Sequence, residues 1–539
     1  MSNDRQGYEL ELSRRAFLAS TGGTLAGAAA MGLSGSAEAS QRHPKRGGTL
    51  RYATQADSTG LDPHRNIIYL VSHPLAATTQ GLLDLDLQSR PVPGIATEWS
   101  ISKDIMTYTF KLRQGVQFHN GREIDAAAVK WNYARIKNPK TSSTFTRSAL
   151  NNLKEVEVVD KYTLRCHLHE PSAAFLANVV YYPCNLIAPD SEPQVDTHPI
   201  GCGPFKFVKW SRHDITVMER FENYFETDAE GNNLPYLDKI IGRPKREDRV
   251  RLTALRAGEV DMVDNMPFNE AAGFDKKYGQ KFQSWTAASW GTAFLTFNLE
   301  TGPFSNKTPA GKLLRHAAAH ATNHDAIHQA VYHGRGIIAR SYYAENSPWY
   351  PRGVKSWPEH DLDKAKFLLK KAKYQGETIL LQALNAYPLM QQTGELLDAM
   401  WREAGFKVRY QILDAPVLRA NRRKGEFHAD SMGGSYRFDP DGWFSRQIMS
   451  TSSTTQRQSR FRHERADQLI AEARRTVNKA KRLELYAEID SIVNDELPVL
   501  YIQNASMLQA GVHNIKNYQP GVSGHPSSSG AGFRTAWMA

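Results

Sequence analysis

The sequence predicts a two-lobed, hinged α/β protein in which helices flank mixed sheets. The chain has 539 residues, which is too long for a single hydrophobic core and predicts two or three domains. Strand patterns dominate up to about residue 289, helical patterns dominate from about 290 to 504, and a strand pattern then resumes. The chain therefore crosses between two parts twice. Two crossings are typical of a hinge, and a cleft between hinged lobes is a common ligand site.

Residues 1–39 have the pattern of an export signal rather than of a folded element. Two consecutive arginines at positions 14 and 15 precede an apolar run rich in alanine and glycine, which ends in Ala-Glu-Ala at 37–39. This order resembles a twin-arginine signal peptide, and an ordinary secretion signal is the alternative. The run is shorter than the ~20 residues of a membrane-spanning helix, and no cysteine for lipid attachment directly follows it. We therefore expect a soluble, unanchored periplasmic protein that begins near Ser40.

The composition argues against several classes of function. The net charge of +11 comes from 67 basic and 56 acidic residues, but the basic residues are scattered, so no nucleic-acid partner is expected. The three cysteines, Cys166, Cys184 and Cys202, form neither a CxxC pair nor a metal-ligand spacing. An oxidising compartment allows one disulfide and one free thiol, and the spacing does not select the pair.

We predict lobe I at residues 40–289, with an inserted subdomain at about 90–195. The segment TLRYAT, which follows Gly48, alternates as a strand does. In MTYTFKLR the apolar Tyr108, Phe110 and Leu112 alternate with polar residues, which predicts a half-buried strand. An Asn-Gly turn follows, and Asp125 then stands where the N-cap of an amphipathic helix is expected. The unit is predicted to be strand, turn, helix.

We predict lobe II at residues 290–504, followed by a return to lobe I and a C-terminal tail at 505–539. Amphipathic helical patterns fill this part, with short strand patterns such as KVRYQIL between them. Two long helices are predicted near Arg465 to Asn478 and near Lys479 to Asn494. Pro498 ends this helical region, and PVLYIQ is predicted to be a strand.

Two motifs resemble metal or catalytic sites, and each also has a structural interpretation. His316, His320 and His324 follow one another at the four-residue spacing of zinc ligands, but they also suit the polar face of a helix. In CHLHEP, Cys166 and His167 would face opposite sides of a strand. The sequence contains no GxSxG, HExxH or phosphate-loop motif. We therefore expect a binding protein with no metal, cofactor or catalytic residue, with a secreted hydrolase as the alternative.

Several segments, in this order, resemble a known family: GGTLRYATQADSTGLDPH, GLLDLD with PVPGIATEWSIS, YTFKLRQGVQFHNGREIDAAAVKWN, PIGCGPFKFVKW, RFENYF with LPYLDKI, and FDPDGWF. The chain resembles the family 5 extracellular solute-binding proteins of ABC importers over about Gly47 to Pro520. This family includes peptide, nickel, glutathione and opine receptors. The resemblance implies a type II periplasmic-binding-protein fold of the large cluster C form. It also implies a monomer that delivers a small polar solute, which is peptide-like, opine-like or sugar-like, to an inner-membrane ABC permease. A true peptide or metal-chelate receptor of the same family is the alternative.

The resemblance places the stretch SYRFDPDGW in the cleft, as a strand that ends in a turn. Its candidate ligand-binding residues are Ser435, Tyr436, Arg437 and Asp439. Asp439 either caps the Asp-Pro turn or contacts ligand. Peptide-binding members carry an aspartate three residues before this turn, where it pairs with the peptide ammonium group, and Tyr436 stands there in this chain. The departure argues against a solute with a free peptide amino terminus, because a buried ammonium group would lack its carboxylate.

Arg437 offers a planar fork of donors for a carboxylate or phosphate group, and Tyr436 offers a hydroxyl. An anionic or a polyhydroxylated solute fits both, although strand alternation directs only one of the two toward the cleft. Asp57, Ser58 and Trp290 also occupy places where family members commonly contact solute. Trp290 suits either stacking on a planar solute or packing near the hinge.

We predict that replacing both signal arginines, Arg14→Lys with Arg15→Lys, strands the precursor in the cytoplasm, because the twin-arginine route requires the arginine pair. Cell fractionation and immunoblotting measure the result. Normal export of the double variant would favour the general secretion route instead.

Overall fold

The computed structural model describes residues 44–66, 73–271, 273–354, 357–521 and 532–539. For residues 73–75, 144 and 288–290 it describes the backbone alone. The predicted signal peptide lies outside the described residues. Within them, no helix has the length and apolar character needed to cross a membrane.

The described residues form strands and helices throughout the chain. The strands are β1 (Thr49–Thr54), β2 (Leu83–Leu85), β3 (Pro91–Pro93), β4 (Ala96–Ile101), β5 (Thr107–Leu112), β6 (Leu153–Asp160), β7 (Thr163–Leu168), β8 (Phe205–Ser211), β9 (Ile215–Arg220), β10 (Lys239–Pro244), β11 (Met262–Val263), β12 (Phe282–Phe297), β13 (Ile337–Ile338), β14 (Ile379–Leu384), β15 (Val408–Leu413), β16 (Ala429–Ser435), β17 (Val499–Val512), β18 (Ile515–Lys516) and β19 (Trp537–Met538). The helices are α1 (His73–Thr78), α2 (Ala126–Lys137), α3 (Thr144–Ala149), α4 (Phe175–Val179), α5 (Asp248–Arg256), α6 (Phe268–Ala271), α7 (Phe274–Tyr278), α8 (Pro309–Ala321), α9 (His324–Ala330), α10 (Leu362–Lys371), α11 (Pro388–Ala404), α12 (Ala415–Lys424), α13 (Asp441–Gln447), α14 (Glu464–Arg474), α15 (Lys479–Glu496) and α16 (Gly532–Thr535), with 3₁₀ turns at Tyr182–Cys184 and Pro189–Gln194.

One large mixed sheet extends through most of the molecule. Its order is β15-β14-β16-β12-β17-β11-β1-β10-β9-β8, and β13 also pairs with β17. The long strands β12 and β17 run antiparallel through its centre, and their register shifts between Ala287 and Gly291. On one side of this shift the two strands adjoin β14–β16, and on the other they adjoin β1 and β8–β11.

A second sheet of four strands, β4-β5-β7-β6, confirms the predicted strand, turn and helix. Tyr108, Phe110 and Leu112 of β5 are buried, whereas the residues between them are not fully buried. Asp125 caps α2, since its carboxylate accepts a hydrogen bond of 2.8 Å from the backbone N–H of Ala128.

The buried apolar side chains fall into groups that follow the chain. One large group comes from residues 293–505, a second from residues 82–202, and a third combines residues 50–262 with residues 515–536. We call the parts that contain them the C-terminal unit (291–505), the four-stranded unit (82–202) and the N-terminal unit (β1 and β8–β11 with the end of the chain). Separate apolar groups are typical of a chain too long for one core.

The two long helices occur where the sequence predicts them, with different ends. The first, α14, ends at Arg474 rather than at Asn478. The reason is local, because Asn478 accepts a hydrogen bond from the backbone N–H of Lys481 and caps α15 instead.

The three histidines spaced like zinc ligands contact backbone carbonyl groups. Ring nitrogens of His316, His320 and His324 lie 2.8, 2.6 and 3.0 Å from the carbonyl oxygens of Asp495, Glu359 and Tyr501. No cluster of metal-ligating side chains occurs in the part of the chain that the structure describes. The three cysteines are buried, free thiols.

Candidate ligand-binding cleft

A cavity of about 870 Å³ lies between the four-stranded unit and the C-terminal unit. The four-stranded unit lines it with residues around α3 and α4, among them Phe145 and Tyr181. The C-terminal unit lines it with the segment Tyr436–Asp439 and with one face of α13. The cavity has the size of a small-molecule site, and both units form its walls.

The stretch SYRFDPDGW supplies six residues of the cavity wall, but not in the predicted conformation. The strand β16 ends at Ser435, and Asp441-Gly442 begins α13 instead of completing a turn. Asp439 stabilises this helix start, since its carboxylate accepts a hydrogen bond of 2.9 Å from the Asp441 N–H. Tyr436 and Arg437 therefore lie outside the strand, and both line the cavity. The expectation from strand alternation, that only one of them faces the cleft, is wrong.

Asp439 forms a buried ion pair with Arg482 of α15. The guanidinium donates hydrogen bonds of 2.6 and 2.5 Å to the two carboxylate oxygens, and the side chains are only 7% and 3% exposed. Arg482 also stacks on the ring of Trp349 and donates to the hydroxyl of Tyr486. Burial alone would lower the pKa of Arg482, but the Asp439 carboxylate raises it above its ordinary value. This geometry favours a structural role for Asp439, although its side chain lies at the cavity wall.

Tyr436 connects the two units at the edge of the cavity. Its hydroxyl oxygen lies 3.3 Å from Oγ of Ser89, in the four-stranded unit, and 3.4 Å from Oγ of Ser347, in the C-terminal unit. The side chain is buried, and its ring packs edge-on against Tyr343 and Phe438. Burial raises the pKa of the phenol, so it stays neutral at physiological pH. A neutral phenol offers a hydrogen bond but no charge to balance an ammonium group.

Two arginines of the C-terminal unit lie over one aromatic ring of the four-stranded unit. The guanidinium carbons of Arg437 and Arg446 lie 5.1 and 5.8 Å from the centroid of Phe145. Tyr181 lies beside them, and desolvation raises the pKa of its phenol while both arginines oppose this shift. The surrounding protein also lowers the pKa of Arg446, and the cation of Arg437 lowers it further. The cavity therefore has a positively charged, aromatic region.

Arg446, Phe145 and Tyr181 also line the cavity, although they are not among the ligand-binding residues predicted from the sequence. A helical signal for Arg446 exists, because Gly442, Ser445 and Arg446 lie on one face of α13 and all line the cavity. That face becomes visible only once the helix is known to begin at Asp441. Nothing in the sequence brings Phe145 next to residues that follow it by about 300 positions.

Three other predicted ligand-binding residues, Asp57, Ser58 and Ser435, do not line this cavity. The carboxylate of Asp57 accepts hydrogen bonds from Nε1 of Trp210 and from the backbone N–H of His213, and the hydroxyl of Ser58 donates to the Gly60 carbonyl. The Ser435 carbonyl accepts a hydrogen bond from the hydroxyl of Tyr342. The backbone of Trp290 belongs to the irregular segment of β12, and its side chain lies outside the described residues.

The arrangement of units, shared strands and a cavity between two units defines a two-lobed solute-binding protein of the type II periplasmic class. Solved structures share this fold at low sequence identity. AgaA from A. tumefaciens R10, in complex with agropinic acid, aligns with a TM-score of 0.76 at 23% identity and covers 91% of this chain and 99% of its own. DppA from Helicobacter pylori, in complex with the peptide STSA, aligns with a TM-score of 0.75 at 23% identity, covering 92% and 98%.

The chain belongs to the bacterial extracellular solute-binding proteins of family 5, whose middle region matches residues 90–456. The protein is thus the solute-capturing component of an ABC import system. Its curated relatives include the glutathione-binding protein GsiB of Pectobacterium atrosepticum, which is 26% identical over 85% of this chain and 89% of its own length. GsiB of Escherichia coli O6:K15:H31 is 25% identical over 86% and 91%.

We expect Arg482→Met to lower the free energy of unfolding by about 3–5 kcal/mol, because it leaves the buried Asp439 carboxylate unpaired. Urea denaturation followed by circular dichroism measures the change. The matched control is Arg465→Met, which removes the exposed ion pair between Arg465 and Glu488. This control should lower the free energy of unfolding by no more than about 1 kcal/mol. Equal losses in the two variants would contradict a dominant role for the buried pair.

Proposed function

We propose that this protein captures one small polar solute in the cavity between the four-stranded and C-terminal units and releases it to a membrane permease. The observation that carries the proposal is that both units supply walls of one cavity, with the segment Tyr436–Asp439 as part of its lining. Contacts across the cleft, such as the 2.8 Å hydrogen bond from the Ala173 N–H to the Arg474 carbonyl, hold the units together around it. A cleft formed by two units is a common place for capture of a small solute.

We propose that the lobes divide near residues 289 and 504, as the sequence analysis expects, and close by bending β12 and β17. The register shift between Ala287 and Gly291 of β12, opposite Met507 and Ala505 of β17, supports this position. A strand pair bends most readily where its regular hydrogen bonds are interrupted. In this proposal lobe I comprises residues 40–289 with the return at 505–539, and lobe II comprises 290–504.

The solute we favour carries no isolated peptide ammonium group. Tyr436 is a neutral, buried phenol, and the nearby carboxylate of Asp439 is already held by Arg482. The curated relatives are glutathione-binding proteins. The amino group of glutathione lies beside a carboxylate of the same molecule, so this amino group does not require a carboxylate from the receptor. Agropinic acid, bound in a structural relative, is also an acid. These comparisons support a glutathione-like or opine-like solute.

We further propose that the protein works outside the cytoplasm as a monomer, after export by the twin-arginine route and removal of residues 1–39. The family name, which describes extracellular proteins, supports the location. The proposed role requires no catalytic residue, because release of the intact solute completes it.

We expect the radius of gyration to decrease when the bound solute closes the cleft. The solute is first identified by mass spectrometry of the purified protein, and small-angle scattering is then recorded with and without it. A hinge at β12 and β17 predicts a smaller, more compact particle at saturation. An unchanged radius at saturating solute would count against closure.

We expect wild-type protein to bind ordinary dipeptides and tripeptides weakly and Tyr436→Asp to bind them about 10- to 100-fold more tightly. The introduced carboxylate supplies the charged hydrogen bond that a peptide ammonium group needs. Isothermal titration with peptides, opine-like conjugates, oligosaccharides and metal chelates measures this, with circular dichroism to confirm folding. Tyr436→Phe is the control, because it removes the hydroxyl without adding a carboxylate. Micromolar or tighter binding of dipeptides by the wild type would refute the selection argument.

A further inference from the structure

Arg437 and Arg446 are the most distinctive charged groups of the cavity. Both lie in the C-terminal unit, both line the cavity, and both reach the ring of Phe145 in the opposite unit. Within the described parts of the chain, neither side chain forms an ion pair. Arg474, which also lines the cavity, differs in this respect because it donates a hydrogen bond of 2.8 Å to Asp441.

The charge of the cavity wall remains positive after its internal pairs are considered. The wall contains four arginines and three carboxylates. Arg482, which lies behind the wall, neutralises Asp439, and Arg474 neutralises Asp441. The remaining charged groups are three arginines and Glu170, at positions 437, 446, 457 and 170. An excess of cations inside a cleft attracts an anionic solute.

The position of both guanidinium groups over Phe145 leaves most of their donors available, although Arg437 already forms a hydrogen bond with the hydroxyl of Tyr181. A guanidinium that lies over an aromatic ring uses its flat face for that contact. Its N–H groups point outward along its edge, where they suit the two oxygens of a carboxylate. Phe145 therefore positions the two cations without occupying their hydrogen-bond donors. The hydroxyl-bearing ring of Tyr181 lies beside the same pair.

We propose that Arg437 and Arg446 form an anion-binding subsite that takes a carboxylate group of the solute, with Phe145 as the support beneath both guanidinium groups. This inference rests on the receptor function proposed above and specifies its solute as an organic acid. A bound carboxylate would relieve the repulsion between two neighbouring cations that the protein alone leaves uncompensated. It would also join the two units, since the arginines and Phe145 belong to opposite walls.

A purely structural role for the two arginines predicts different behaviour. Cation–π contacts with Phe145 would then stabilise the solute-free protein, and removing either cation would lower its melting temperature. If the two arginines form a binding subsite, removing one of the two cations relieves their electrostatic repulsion and stabilises the solute-free protein. The solute-free melting temperature therefore separates the two roles without any ligand.

The first experiment compares melting temperatures of solute-free wild type, Arg437→Gln and Arg446→Gln. The control is Arg419→Gln, which removes an exposed cation of α12 that does not line the cavity. We expect both cavity variants to melt at or above the wild-type temperature. A decrease of several degrees in both, with Arg419→Gln unchanged, would overturn the subsite in favour of a structural role.

The second experiment measures dissociation constants for glutathione and agropinic acid, for the esters that block their carboxylates, and for an uncharged disaccharide. We expect an acid to bind the wild type, with blocking of its carboxylates weakening binding about 10- to 100-fold. Arg437→Gln and Arg446→Gln should weaken binding of the acid by a similar factor. Arg446→Lys should lose less, because it keeps the charge but not the fork, and Arg419→Gln should bind as the wild type does.

An uncharged solute that binds wild type and both glutamine variants equally would overturn the anion subsite. That outcome would leave the proposed receptor function intact, because capture of a solute would still be demonstrated. The two proposals therefore fail separately.

Discussion

The buried ion pair between Asp439 and Arg482 is the interaction on which the geometry of the cleft depends. It fixes the end of the cleft segment to α15 through both carboxylate oxygens. Trp349 strengthens the same attachment, since it stacks on Arg482 and donates a hydrogen bond of 2.9 Å to the Phe438 carbonyl. With this segment held from behind, Tyr436 and Arg437 project into the cavity from irregular backbone. A regular strand would have turned one of them away.

The two long central strands make the molecule one body and still allow it to bend. Both β12 and β17 belong to the same eleven-stranded sheet, so the N-terminal and C-terminal units share a backbone hydrogen-bond network. That network is irregular between Ala287 and Gly291. A continuous sheet transmits motion between the units, and a local irregularity concentrates that motion in a few residues. The proposed closure of the cavity therefore needs no flexible linker.

The cavity combines aromatic walls with arginines. In the solute-free protein this combination is unfavourable for the free energy of folding. Desolvation and the neighbouring Arg437 cation both disfavour the charge on Arg446. Binding sites commonly retain such unfavourable arrangements because the ligand compensates them. The ion pairs of Asp439 and Asp441 serve the opposite purpose, since they neutralise carboxylates that would otherwise repel an acid. The wall is thus positive because two of its three carboxylates are already paired, which leaves Glu170 alone against three arginines.

The sequence by itself determined the class of fold, the family and many of the local elements. Alternation predicted the buried face of β5, and the position of Asp125 predicted the cap of α2, because both depend on neighbouring residues. The sequence also singled out Tyr436 and Arg437 from a recognisable motif. Only the tertiary structure decided that β16 ends before them, that Asp439 pairs with Arg482, and that Phe145 and Arg446 meet across the cavity. These contacts join residues that are distant in the chain, so local patterns carry no information about them.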